Sequence, residues 1–177
     1  MLFRSKAFDI IFSGNMAYPP NIETARYITK EVLPIVKREL PEVKLVIAGA
    51  KPPVSVLSLS SKNVLVTGWI EDMREYYKSS RVFIAPMHTS IGMQNKILEA
   101  MAMAIPCITS PMANNAIKAV DGESVLIGET PEEYAKHLIN ALKDDQLSHK
   151  LATKGCEFVT TRYSWESSTS KLIGIFT

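Results

Sequence analysis

The stretch Pro86-Met87-His88-Thr89-Ser90-Ile91-Gly92-Met93-Gln94-Asn95-Lys96 reads as a strand end, a loop and a helix start, and Glu99 follows three residues later. In a helix over 92–104, with about 3.6 residues per turn, Gly92, Asn95, Lys96, Glu99 and Met103 share one stripe. A helix start carries unpaired backbone N–H groups, here those of Gly92, Met93 and Gln94, and the positive end of the helix dipole, so it can hold a phosphate oxygen. Lys96 adds a mobile positive charge. Glu99, a turn further in, is placed to accept hydrogen bonds from a ribose diol. Lys96 and Glu99 are equally readable as an ordinary i,i+3 ion pair on a solvated face, worth roughly a few tenths of a kcal/mol. Spacing alone leaves both readings open.

The elements that must position these residues alternate. Short β-branched runs at 9–13, 44–48, 64–67, 82–85, 107–109 and 124–127 predict six strands, and their near-continuous apolar character predicts burial on both faces. Between them, helical patterns predict a helix over 21–40 with Asn21 as its N-cap and a kink or break at Pro34, and others over 72–79, 92–104, 131–143 and 145–161. Thr130 and Pro131 suit the cap and first position of the fourth of these, and Asp72 caps the second. A further helix follows Ser164, and 51–62 reads as a long connection or a weak helix. The pattern predicts a three-layer α/β/α, Rossmann-like domain with a six-stranded parallel sheet. Ligands of such sheets bind beyond the carboxyl ends of the strands, which points to Ser13-Gly14-Asn15-Met16 and to the segment 86–95.

The 177 residues are 46% apolar and 21% charged, enough for one domain with a real core over 1–177, including a leader over 1–8 and a last helix over 162–177. With 20 Lys+Arg against 18 Asp+Glu, the net charge of +2 lacks the basic excess of a phosphate-backbone binder, so no nucleic-acid partner is expected. Cys107 and Cys156 form no C-x-x-C pair and fit a reducing, cytoplasmic setting. No apolar run reaches the roughly 20 residues of a membrane span, and Met1 to Lys6 lacks the apolar core of a signal peptide. No Ser/His/Asp arrangement or metal-ligand spacing is discernible, the methionines read as core filler, and His137 and His149 read as surface residues.

The segment 92–106, with Lys96-Ile97-Leu98-Glu99-Ala100-Met101-Ala102-Met103-Ala104-Ile105-Pro106, resembles the donor-site motif of the retaining glycosyltransferases of family four, which have the GT-B fold. Other pieces stand in the family's order: Gly14-Asn15-Met16, Val66-Thr67-Gly68-Trp69-Ile70-Glu71-Asp72, Val82-Phe83-Ile84-Ala85-Pro86, Asp121-Gly122 and Tyr163-Ser164-Trp165. The resemblance covers nearly the whole chain. It implies the carboxyl-terminal half of a GT-B enzyme, which holds a nucleoside diphosphate sugar as donor and needs no cofactor and no obligatory metal. Glu99 matches the glutamate that grips the ribose. Lys96, Gln94 and the backbone of Gly92 and Met93 would meet the diphosphate or the sugar, Trp69 and Ile70 would frame the nucleobase, Gly14 and Asn15 form the loop after the first strand, and His88 would contact donor phosphate or sugar. No catalytic residue is assigned.

Two departures stand out. Many members carry two glutamates eight positions apart, and here the first position is Ile91. The loop after the first strand often holds an Arg and a Lys, where this chain has Asn15 and Pro19-Pro20-Asn21; a bacterial branch with a Gly-x-Met-x-Tyr-x-Pro-Asn loop and a Lys-Ile-Leu-Glu helix is more similar. The expected partners are a nucleotide sugar and an acceptor-binding domain preceding residue 1, without which the chain binds donor but does not turn over. That domain would also set any attachment to the inner face of the membrane. Self-association is expected through the last helix, with Leu172, Ile173, Ile175 and Phe176. The rival readings are half of a sugar-nucleotide epimerase, with His88 as its acid/base group, and a non-catalytic nucleotide-binding or interaction module.

Overall fold

The computed structural model describes residues 6–89 and 92–163. Six strands, β1 (Phe8–Ser13), β2 (Leu45–Ala48), β3 (Val64–Val66), β4 (Ser80–Ala85), β5 (Cys107–Thr109) and β6 (Leu126–Ile127), form one sheet in the order β3-β2-β1-β4-β5-β6. Every pairing is parallel. Ile10, Ile11 and Phe12, Leu45 through Ala48 and Val82 through Ala85 are buried on both sides of the sheet, as their unbroken apolar runs require.

Among the described residues, eight α-helices connect and cover the strands: α1 (Pro19–Tyr27), α2 (Leu33–Glu39), α3 (Val54–Leu57), α4 (Met73–Lys78), α5 (Asn95–Ala102), α6 (Pro111–Ile117), α7 (Pro131–Lys143) and α8 (Asp145–Arg162). Right-handed crossovers send the connections β1 to β2 to β3 over one face. Those from β4 to β5 to β6 run the other way in the sheet and cover the opposite face. Accordingly α2 packs with α7, and α5 packs with α8. The order reverses between β1 and β4, which leaves a crevice where the loops after these two strands part.

The strands lie where expected to within two residues, and α7 has both the expected cap and first residue, with Thr130 and Glu133 closing a capping box. Asp72 caps α4 through the Arg74 amide at 2.9 Å. Two helical expectations are corrected, and the kink or break expected at Pro34 falls in the turn just before it. The helix over 21–40 is not continuous: α1 passes into a π-helical turn over Ile28–Val32 before α2, and the Leu33 amide bonds the Ile28 carbonyl five residues back. The wider turn makes room for Pro34, which has no N–H and would press on the carbonyl four residues back in a regular α-helix. Asn21 is not an N-cap, because Pro19 and Pro20 already occupy the first helical positions after Tyr18. Finally, α5 starts at Asn95 rather than Gly92, and Gly92 turns the chain at φ +75° ahead of it.

The segment 51–62 contains the single-turn α3. Unanticipated by the pattern, α6 is capped by Ser110, whose Oγ accepts from the Ala113 amide at 3.2 Å. Residues 1–5, Ser90, Ile91 and 164–177 lie outside the described residues, and with them the start of the leader, the donor-site position Ile91, Ser164-Trp165 and nearly all of the last helix. No helix of the described residues is long and apolar enough to cross a membrane.

Candidate functional site

Past the carboxyl ends of β1 and β2 the chain runs so close that Gly14 and Gly49 touch. A Cβ on Gly49 would lie 1.8 Å from the Gly14 carbonyl oxygen. The Met16 amide bonds the Ala50 carbonyl at 2.8 Å and stitches the two loops together. Beside this seam opens a pocket of about 280 Å³ lined by Ser13, Gly14, Asn15, Ala48, Gly49, Ala50, Trp69, Ile70, Met73, Tyr77 and Glu99. Five of the residues singled out by sequence thus meet: Gly14, Asn15, Trp69, Ile70 and Glu99.

One wall is apolar and one is polar. Trp69 is 73% exposed and Ile70 packs partly against the core, so the segment after β3 presents an indole for a planar ring to lie against. Opposite it, the Tyr77 hydroxyl donates to Glu99 Oε2 at 3.2 Å and lies 2.8 Å from Ser13 Oγ. A phenol has one proton and a carboxylate only accepts, so Ser13 donates to Tyr77 and Tyr77 to Glu99. Burial pushes the Tyr77 phenol well above its ordinary range, so it stays a donor. One carboxylate oxygen of Glu99 is held from below, and the other is free to receive hydroxyl groups from a ligand.

Lys96 does not line this pocket but approaches from behind Gly14. Its Nζ donates to Asn21 Oδ1, lies 5.0 Å from the centre of the Phe12 ring and 3.9 Å from Met87 Sδ. A Cβ on Gly14 would come within 3.2 Å of that ammonium and 2.7 Å of Asn21 Nδ2. Desolvation lowers the Lys96 pKa from 10.5 to about 8, with Glu99 pulling the other way. The loops after β1 and β4, residues 14–18 and 86–94, contain no Lys or Arg, so Lys96 is the nearest cation in chain order to the crevice between them.

The remaining candidates scatter. Gly92 and Met93 are exposed in the turn before α5, and Gln94 is a buried N-cap residue whose carbonyl accepts from the Ile97 amide at 3.0 Å. The first free amides of α5 therefore belong to Asn95 and Lys96, not to Gly92, Met93 and Gln94. His88 is exposed and sets its ring edge-on to Tyr27, centroids 4.4 Å apart. Asn15 Oδ1 accepts from the Ala17 amide at 3.0 Å, so its side chain shapes its own turn. Sequence reasoning missed Tyr77 and Asn21: Tyr77 comes from a helix position that reads as core, and Asn21 was accounted for as a cap; Ser13 lay in the loop singled out after β1, with no role assigned to its hydroxyl. Among the described residues, no group of three or more His, Cys, Asp or Glu side chains could hold a metal ion. Larger hollows occur elsewhere, one of about 490 Å³ along α8 and one of about 350 Å³ at the amino ends of β1 and β4. Ion pairs Lys154–Glu157 and Arg81–Asp9 stand in their walls.

Comparison with known proteins bears on the family and the fold. The chain is 25% identical over 164 residues to an uncharacterized 44.6 kDa protein in the cps region of Klebsiella pneumoniae, covering 88% of this chain and 42% of that one. It is 26% identical over 110 residues to the capsular polysaccharide biosynthesis glycosyltransferase CapM of Staphylococcus aureus, covering 59% and 29%. The chain thus spans less than half the length of these relatives. Its fold superposes on Staphylococcus aureus TarM, solved in complex with fondaparinux, alpha-GlcNAc-glycerol and UDP, with a TM-score of 0.80 at 16% identity over 97% of this chain and 36% of that one. It also superposes on the C-terminal domain of the glycosyl transferase group 1 family protein LpcC of Francisella tularensis, with a TM-score of 0.72 at 22% identity over 89% and 87%. The sheet order, an open all-parallel six-stranded sheet, is that of the Rossmann-like domains of GT-B glycosyltransferases. A match to the glycosyl transferases group 1 model over residues 7–144 completes the assignment, and the chain belongs to that family of glycosyltransferases.

Proposed function

We propose that this chain is the donor-binding domain of a retaining glycosyltransferase, which holds a nucleoside diphosphate sugar while the sugar passes to an acceptor hydroxyl. The observation that carries the reading is Glu99, held by Tyr77 in a pocket that Trp69 and Ile70 also line. The nucleobase lies against the segment after β3, the ribose diol on Glu99, and the diphosphate runs toward Gly14, Asn15 and the first turn of α5. There Lys96 and the amides at the helix start stabilise the charge that grows on the departing diphosphate, with no obligatory metal. Gly92, Met93, Gln94, Ile91 and His88 belong on this reading to the sugar end of the site.

Transfer requires a second wall. Tyr18, Val54, Trp69, Met93 and Met112 are exposed apolar residues in the segments following β1 through β5, and they form the rim against which an acceptor-binding domain closes. The domain works in the cytoplasm in the assembly of bacterial surface polysaccharide. The chain alone binds a nucleotide sugar without turning it over. Joined to the acceptor-binding domain of a group 1 relative, it transfers the sugar, and proton NMR of the new linkage shows the anomeric configuration of the donor. Inversion at that centre, or turnover by the chain alone, contradicts the proposal.

A further inference from the structure

Asn21 is 4% exposed and sits at the third position of α1, and its side-chain hydrogen bonds go to Asn15 and Lys96, outside the helix. Its two amide atoms face opposite elements of the crevice. Nδ2 donates to the Asn15 carbonyl at 2.8 Å, in the loop after β1. Oδ1 accepts from the Lys96 ammonium, which comes from α5 beyond the loop after β4. Phe12 of β1 and Met87 of the loop after β4 complete the surroundings of the ammonium and offer no charge to balance it. Gly14 leaves the space that this knot fills, since any Cβ there would lie 2.7 Å from Asn21 Nδ2.

Resting on the donor-site reading above, we infer that Asn21 is a positioning residue: it parks the Lys96 ammonium behind Gly14 and ties it to the loop that receives the diphosphate. A buried lysine with no fixed acceptor would fold back toward solvent or toward Glu99, its neighbour one turn on. The Asn21 carbonyl oxygen is a neutral acceptor, so it directs the ammonium without cancelling its charge, as a carboxylate in its place would. Its Nδ2 simultaneously fixes the backbone of Asn15. One side chain thereby supplies a cation to a crevice whose own two loops have none.

The surroundings of Lys96 also set a pH dependence. Desolvation brings its pKa to about 8, Glu99 on α5 is the charge that opposes this, and Asn21, Phe12 and Met87 are uncharged. The diphosphate-dependent part of binding therefore fades as pH rises through that value.

The test is calorimetric titration with UDP, GDP and ADP and with the matching monophosphates, between pH 6.5 and 9.5. The parent chain, Asn21→Ala, Asn21→Asp, Lys96→Gln and Asn21→Ala/Lys96→Gln are compared. In the parent, diphosphate is preferred over monophosphate at pH 6.5, and the preference declines through pH 8. Asn21→Ala lowers the preference by about tenfold, the scale of one hydrogen bond to a charged group, while monophosphate affinity changes little. Asn21→Asp keeps the shape, weakens the preference at pH 6.5 and moves its decline to higher pH, because a carboxylate holds the proton on Lys96. In the Lys96→Gln background, Asn21→Ala has no further effect on the preference. Equal losses for diphosphate and monophosphate in Asn21→Ala, with the pH profile of Asn21→Asp unmoved, would overturn the inference and leave Asn21 as a loop support. Absence of binding of every nucleotide to the parent chain is a different result and overturns the donor-site reading itself.

Discussion

The Lys96 ammonium works against the stability of the fold that carries it. Burial lowers its pKa from 10.5 to about 8, so between these values the unfolded chain binds more protons than the folded one and stability rises with pH. Below the folded value the cost is present in full, at roughly 3 kcal/mol. Lys96→Met therefore stabilises the ligand-free chain at pH 7 in urea unfolding, and the gain vanishes as pH approaches 10.5; an unchanged midpoint at pH 7 would mean that Asn21, Phe12 and Glu99 offset the desolvation completely. Tyr77 has the opposite character, since its buried hydroxyl serves both Glu99 and Ser13. Tyr77→Phe leaves the ring packing in place and frees the Glu99 carboxylate to rotate. Nucleotide affinity falls about fivefold, in line with one lost charge-assisted hydrogen bond, while affinity for the 2′,3′-dideoxy nucleotide stays constant. Equal losses for both ligands would assign Tyr77 a packing role only.

Among the elements, the strands were legible in the sequence because a strand buried on both faces writes an unbroken apolar run, as in Leu45 through Ala48. The helix starts at Asp72 and Thr130 were legible from their capping side chains, while the Ser110 cap of α6 went unread. The start of α5 was not legible, because Gln94 caps through no side chain and Gly92 turns with a positive φ that any reading of periodicity passes over. Asn21 was misread for a related reason: asparagine before an apolar-periodic run is a cap signal, and the two prolines before it took that place. The pocket residues Glu99, Trp69 and Gly14 were recoverable because motif and strand order agree on one crevice, and Ser13 lay in the loop singled out there, whereas Tyr77 carries no mark that separates it from core. The close approach of β1 and β2 at Gly14 and Gly49 yields a prediction at this scale. Gly49→Ala places a methyl group 1.8 Å from a backbone oxygen, and denaturant unfolding registers a loss of about 3 kcal/mol. A loss under about 1 kcal/mol would show that the seam yields without consequence for the fold.

At the scale of the whole molecule, the reversal of strand order between β1 and β4 brings Asn21, Lys96 and Glu99 together from segments far apart in the chain. Buried apolar residues of every strand form one connected core beneath them, so the rim of loops at the carboxyl ends can be specialised while the sheet stays fixed. That division explains how a chain 16% identical to TarM keeps its fold at a TM-score of 0.80. On the proposed reading, what this domain does alone is capture a nucleotide. The most direct test is calorimetric titration of the chain and of Glu99→Ala with UDP, GDP and ADP side by side. Binding of one nucleotide at micromolar affinity, weakened about tenfold or more by the loss of the carboxylate, is the expected result. Binding that is indifferent to Glu99, or no binding of any of the three at millimolar concentration, would contradict it.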